Sequence, residues 1–288
     1  MRTWLVTLLF SILVSNVLEA HPGIGIVEDS KGNVYYTDLV HVWKISPEGE
    51  VTIAVKDVHT HELYIDSEDN LYGEHEWYEG EEIDKWGNYV WCLKNNGELI
   101  KTIPDVEGFL DNNTLVRDRK GSSYWSAKSG EGQIIKKTSA QGKQHTFSEH
   151  VFEDIRWMFY SEVNGALYVV DLLSVYEVKP SGKVKLLEED LKKRNSLFNG
   201  VADRHYVYGM WDNTEGDLFI ALYGGGKVLK IGTDMETAFL GKTGMGWSPC
   251  GGITARDGST WIMEFSIRNR TRVRHVMADG TEEVFRGD

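Results

Sequence analysis

The chain has 288 residues, with 44 Asp or Glu against 31 Lys or Arg and a formal net charge of −13. That balance argues against a partner that is nucleic acid or an anionic membrane and favours a neutral or cationic ligand, or simply solubility; the ligand expected is a small molecule or a carbohydrate. Two cysteines in a chain of this length exclude a disulfide framework as the basis of the fold.

Residues 1–20 open with Met1-Arg2, continue through an apolar run over 4–14 and end on the small residue Ala20. This is the pattern of a secretory signal peptide, too short to span a bilayer. It predicts a secreted or periplasmic protein whose mature chain starts at His21 and forms one domain over 21–288. A monomer is expected.

From His21 onward, short β-rich runs alternate with turn residues. The first group has runs over 23–29, 34–38, 41–45 and 51–55, rich in Val, Ile, Tyr, Trp and Thr. Ser46-Pro47-Glu48-Gly49 is a tight turn within it. Equivalent turns follow at 94–97, 139–142, 179–182, 232–234 and 277–280, spaced 40 to 52 residues apart. A period of that size with strand-like flanks predicts a repeated four-stranded unit. Six such units make an all-β, six-bladed β-propeller with four antiparallel strands per blade. Trp43, Trp91, Tyr124, Tyr168, Phe219 and Trp261 recur through the blades and are expected to pack blade on blade. A single helical turn is possible over 190–196. Cys92 falls in the third strand of blade two and Cys250 at the start of blade six. Blade one separates them, so no bridge is expected. The second blade carries an acidic, aromatic insertion over roughly 76–88, expected as a loop overhanging the channel mouth.

Pro22-Gly23-Ile24, 32–38 and Asp279-Gly280 resemble NHL-type propeller repeats. Residues 216–228 resemble the regucalcin and gluconolactonase-like propellers. Pro249-Cys250-Gly251-Gly252-Ile253 with 261–264 is similar to the repeat of virginiamycin B lyase. The resemblance spans residues 21–285 and implies the propeller fold. The regucalcin-like family binds a divalent cation through Glu, Asn and Asp, which would imply calcium. This chain has Tyr208 where that Asp would stand and Arg156 near the Asn, with no clear Glu in blade one. The departures speak against a simple calcium-dependent lactonase.

In a propeller the innermost strands line the axis, so distant residues converge there. The densest cluster is His59-Thr60-His61 with Glu74-His75. His59 and His61 are two apart and would share one side of a strand. His59, His61 and His75, with Glu74 or Glu264, form a candidate set for zinc or another divalent metal. His21, as a mature N-terminus, offers a ring and an α-amine suited to copper. Arg156, Tyr208 and His205 form a second group, the Arg for an anionic substrate group and the Tyr or His for proton transfer. The same combination of zinc histidines with Arg and Tyr is found in the peptide-amidating lyase, which this chain distantly resembles. Together these residues predict a metal-assisted hydrolase, lactonase-like, or a lyase acting at a polar central site. The rival expectation is a non-catalytic ligand- or protein-binding propeller.

Overall fold

The first blade sets the rule that the others follow. In a computed structural model, which describes residues 22–108, 116–194 and 206–287, strands β1 (Ile26–Glu28), β2 (Val34–Thr37), β3 (Val42–Ile45) and β4 (Val51–Val55) pair in sequence order, each antiparallel to the next. Their β-branched and aromatic residues suit a pleated surface that is covered on both faces. Val34, Tyr36, Val42 and Ile45 are buried, whereas Thr52 and Ile53 on the outermost strand are exposed.

Blade two comprises β5 (Leu63–Ile65), β6 (Leu71–Tyr78), β7 (Trp86–Leu93) and β8 (Leu99–Glu107). Blade three has β9 (Ser123–Ser129), β10 (Gly132–Thr138) and β11 (Gln144–Phe152). Its innermost strand is represented among the described residues by Val116 and Arg117, through the Arg117–Ser123 bridge. Blade four is β12 (Ile155–Ser161), β13 (Ala166–Asp171), β14 (Ser174–Val178) and β15 (Val184–Glu188). Blade five is β16 (Met210–Asp212), β17 (Leu218–Leu222), β18 (Lys227–Ile231) and β19 (Thr237–Lys242). Blade six is β20 (Trp247–Thr254), β21 (Thr260–Ser266), β22 (Thr271–Val276) and β23 (Glu282–Phe285). The architecture is therefore the six-bladed propeller that the turn spacing predicted. A 3-10 turn, Leu191–Arg194, falls inside the helical segment expected from sequence, and a second, Tyr223–Gly225, lies between β17 and β18.

All six outer turns close with a backbone hydrogen bond between their first and fourth residues, as in Gly49 N–H to Ser46 C=O at 2.9 Å. Glycine takes the left-handed position in five of them. In blade five the turn runs one residue further than the sequence reading placed it, and Met235 carries that conformation at φ 69°. A side chain there is strained where glycine is not.

Among the described residues no strand is exchanged to close the ring; each sheet is built from consecutive strands. The seam between blades six and one is held by packing. Ile26, Val34, Tyr36 and Ile45 of blade one join Trp261, Met263, Phe265 and Val273 of blade six in one core cluster. Each large apolar side chain buried this way stabilises by about 1.5–3 kcal/mol. Near the axis the blades touch through backbone. A Cβ on Gly251 would lie 2.4 Å from the Ile24 carbonyl oxygen, so only glycine fits. The six recurring aromatics all sit in such clusters or pack against them. Cys92 and Cys250 are buried free thiols, as expected.

The chain enters each innermost strand from one face of the ring, called here the upper face. The hairpins joining second to third strands share that face. Those joining first to second strands lie on the lower face.

Candidate metal centre at the channel mouth

The site starts from one pinned residue. Thr60 is fully buried between His59 and His61. Its hydroxyl donates to Glu74 C=O at 2.5 Å, its carbonyl accepts from the Thr37 hydroxyl at 2.7 Å, and the Trp91 indole N–H reaches its Oγ1 at 3.2 Å. Trp91 in turn needs Gly73 beside it, since a Cβ there would stand 2.2 Å from the ring. With Thr60 turned inward, its two neighbours project together, and their rings meet edge-on with centroids 4.8 Å apart.

The backbone around them is saturated. His61 C=O accepts from Ile24 and Gly25 N–H, both at 2.8 Å, tying blade one to blade two. Glu74 Oε1 accepts from His61 N–H at 2.5 Å and Glu62 N–H at 3.2 Å, and lies 3.7 Å from His61 Nδ1. His59 N–H donates to His75 Nδ1 at 3.0 Å, while His59 C=O accepts from Glu76 N–H at 3.0 Å.

Three side chains at this mouth converge. One donor atom each from His59, His61 and Glu76 lies within 4.8 Å of the others. Two imidazoles and a carboxylate fit zinc or a related first-row ion and leave a coordination position open. Calcium, which takes oxygen ligands, does not fit this donor set.

The structure redistributes the ligands expected from sequence. His59 and His61 come together. Glu74 and His75, neighbours on β6, point to opposite sides of the strand, and neither belongs to the convergent group. Glu74 braces the His61 peptide. His75 accepts from the His59 peptide and stacks on Tyr89 across the sheet, centroids 4.8 Å apart. Glu264 is wholly buried in blade six, bound to Arg272 at 2.6 Å and Arg274 at 2.9 Å, and stands outside the group. Glu76, two residues beyond Glu74 on the same strand face, joins the histidines. The period of two along β6 was the available signal for it.

Beside the cluster, the axis holds a cavity of about 260 Å³. Innermost strands of all six blades line it, and the lining is mostly aliphatic and aromatic, including Ile24, Leu63, Trp157 and Tyr208. The expected polar centre is therefore apolar through most of its length. Glu62 is its single acid and Arg117 its single base among the described residues. Burial pushes the Glu62 carboxyl up to about 7. Burial first, and then Glu62, push Glu74 up to about 8.

Tyr208 lines the cavity, buried, with its ring against Trp157 and Tyr223. Arg156 does not line it: the guanidinium binds Asp154 at 2.5 Å. Asp171, a possible partner, instead accepts the Glu153 and Asp154 N–H groups. The cationic place in the channel belongs to Arg117, near the lower end. His205 and His21 lie outside the described residues. The expected loop over 76–88 is an extension of β6 and β7 that forms a projecting hairpin.

No family model matches the chain, and no curated protein matches its sequence. Solved structures do match. The chain is similar to a catalytically inactive virginiamycin B lyase from Staphylococcus aureus, crystallised with quinupristin (TM-score 0.52, 13% identity, covering 95% of this chain and 87% of that one). It is similar to regucalcin, a calcium-binding protein of Agrobacterium tumefaciens (TM-score 0.54, 14%, 84% and 82%). It is also similar to a gluconolactonase from Xanthomonas campestris (TM-score 0.54, 11%, 84% and 84%). At these identities the likeness is one of fold, and it places the chain's architecture among the six-bladed propellers of lyases, lactonases and calcium-binding proteins.

Proposed function

We propose that the protein is an exported, metal-assisted hydrolase, lactonase-like in its chemistry, that acts on a small molecule or carbohydrate fragment at the upper mouth of the channel. The observation that carries this reading is the convergence of His59, His61 and Glu76 beside a cavity whose one acid is Glu62. A zinc ion held there would supply a Lewis acid and an acidified water. Glu74 and His75 fix the peptides of the two histidines, which is the support that metal ligands need. Glu62 is placed to take or give a proton at the cavity wall. Trp157 and Tyr208 keep the inner end dry.

A non-catalytic binding module is the second reading, and the largely apolar lining of the cavity favours it. One experiment separates the two. Purified mature protein is analysed for metal, titrated with zinc against a chromogenic chelator, and assayed on a lactone and ester panel, beside His61→Ala. The hydrolase reading expects about one zinc per chain, at least about 100-fold weaker binding in His61→Ala, and hydrolysis lost with the metal. Wild-type protein that takes up no stoichiometric metal, or turns over unchanged after chelation, overturns it. Export rests on residues 1–20, and an intact mass of secreted protein starting at His21 would support it.

A further inference from the structure

Two upper-face hairpins differ from the rest in charge and in what they expose. The β6–β7 hairpin of blade two carries Glu79, Glu81, Glu82 and Asp84 within six positions of its tip, all exposed. Among the described residues none of the four has an ion-pair partner. Its lysine, Lys85, is drawn away to Glu107 at 3.5 Å. Tyr78 and Ile83 stand out from the same tip, 55% and 61% exposed.

The β21–β22 hairpin of blade six is the counterpart. Ile267, Arg268, Asn269 and Arg270 are exposed at its tip, and Arg286 stands beside it. Ile267 N–H donates to Gly246 C=O at 3.1 Å, which joins this tip to the loop carrying Met245. Ile267 is 83% exposed and Met245 fully so, the two most exposed large apolar side chains among the described residues. Arg268 pairs with no described carboxylate. Blade one separates the two hairpins around the ring, so within one chain the tips do not meet.

An acidic tip with apolar anchors and a basic tip with apolar anchors, on one face of one chain, describe a surface that complements itself. Turned about a two-fold axis, each acidic tip of one copy meets the basic tip of the other, and both contacts form at once. We infer that two copies of this chain associate through their upper faces, β6–β7 hairpin against β21–β22 hairpin. Four tips share the contact, and a stable interface of about 1,200 Å² asks roughly 300 Å² of each. The sequence reading expected a monomer, and the net charge of −13 opposes self-association. The separated tips reverse that sign locally. This inference does not depend on the proposed activity.

Salt gives the first readout. Charge-complementary tips bind more weakly as salt rises, whereas apolar association against a repulsive net charge binds more strongly. Sedimentation velocity of the full mature protein, from micromolar to about 100 µM, is expected to show a monomer–dimer equilibrium that weakens about tenfold between 50 and 500 mM NaCl. The decisive test uses two variants, Arg268→Glu/Arg270→Glu and Glu81→Arg/Glu82→Arg. Each alone places like charges at both contacts and is expected to weaken self-association at least about tenfold. An equimolar mixture restores opposite charges at both contacts, and its hetero-dimer is expected within about threefold of wild type. Both variants change exposed tips, and circular dichroism checks that they fold. A wild type that stays monomeric at 100 µM, a mixture that stays dissociated, or open polymers in place of dimers overturns the inference. So does a monomer that sediments with phosphatidylserine vesicles through Ile267 and the arginines, which would assign the basic tip to lipid.

Discussion

The two faces of this propeller use the same residue types in opposite ways. On the lower face, the turns between first and second strands of blades one, two and three are built on an aspartate whose oxygens accept several hydrogen bonds. Asp29 accepts from Lys31 N–H, Asn33 N–H, the Asn33 side chain and Tyr35. Asp66 repeats the pattern with Glu68, Asn70 and Tyr72, and Asp118 with Lys120, Ser122 and Tyr124. Neighbouring blades are then pinned at these turns: Ser30 donates to Asp69, Arg119 N–H to Glu162, and Arg256 N–H to Glu28. On the upper face, the carboxylate and imidazoles of Glu76, His59 and His61 point at one another. A carboxylate surrounded by donors is a structural part. Two imidazoles and a carboxylate brought this close are a donor set that could hold a cation.

The largest expected effect breaks the lower face. Asp118 is 3% exposed, and besides its turn it holds the Lys137 ammonium at 3.1 Å. Asp118→Ala removes the carboxylate that neutralises that ammonium and leaves it only the Tyr124 hydroxyl at 2.7 Å, which is expected to cost about 3–5 kcal/mol in urea unfolding. His61→Ala, by contrast, is expected to change metal-free stability by less than about 1 kcal/mol. Equal losses in the two variants would erase the division between faces.

Acid and alkali should also act on the faces with opposite sign. At Asp118, burial pushes the carboxyl up, but the donors Ser122, Lys137 and Tyr124 outweigh it and hold it below the ordinary range. At Asp66 burial is likewise outweighed, by Asn70, Glu68 and Tyr72. In acid the unfolded chain therefore binds more protons, and this stability is lost as pH falls through the folded-state values. Glu74 runs the other way. Raised to about 8 by burial and then by Glu62, it stays protonated in the folded metal-free protein after it has ionised in the unfolded chain. Its contribution is intact below the ordinary carboxylate range and falls away as pH climbs from there to about 8. Glu74→Gln keeps an oxygen for the His61 and Glu62 N–H groups but cannot ionise. It is expected to remove about 1–2 kcal/mol of the decline between pH 5 and pH 8, measured by urea unfolding in the presence of chelator. An unchanged slope would mean that Glu74 is hydrated and ionised.

The fold was legible because its signals are local and repeat. A Gly at φ near +80° every blade, flanked by β-branched runs, needs no knowledge of long-range contacts, and even Met235 in the glycine position left the period visible. The site was legible only in part, because it sits where the repeat is interrupted. His59 and His61 could be paired by their spacing, but the reason they project together is Thr60, whose partners Thr37 and Trp91 come from other strands. Glu264 had a chemistry suited to metal and a position at the mouth of its blade, yet two arginines on the next strand claim it. Arg156 had the right charge, but Asp154 lies closer than any channel group. Arg117 gave no sign, since its place on the axis follows from the packing of blade three against its neighbours. Side-chain competition over such distances is decided by packing, which pattern alone does not carry.

The smallest expected effect is the sharpest on the upper face. His75 and His61 were equal candidates as ligands on composition, and the structure gives them different neighbours. His75→Phe preserves an aromatic ring to stack on Tyr89 and removes only the Nδ1 that accepts the His59 N–H. If His75 is a brace, the His59 peptide loses one hydrogen bond, worth about 1 kcal/mol, and zinc affinity falls by a few-fold. If it is a ligand, a metal–nitrogen bond is lost and affinity falls at least as far as in His61→Ala. Zinc competition titrations on the two variants, run side by side at one pH, give two numbers whose ratio answers the question. A ratio near one returns His75 to the coordination sphere and moves the centre off Glu76. A gap of ten or more fixes the centre on the strand face that Glu74 and Glu76 share, with the histidine on the opposite face serving only to hold the loop.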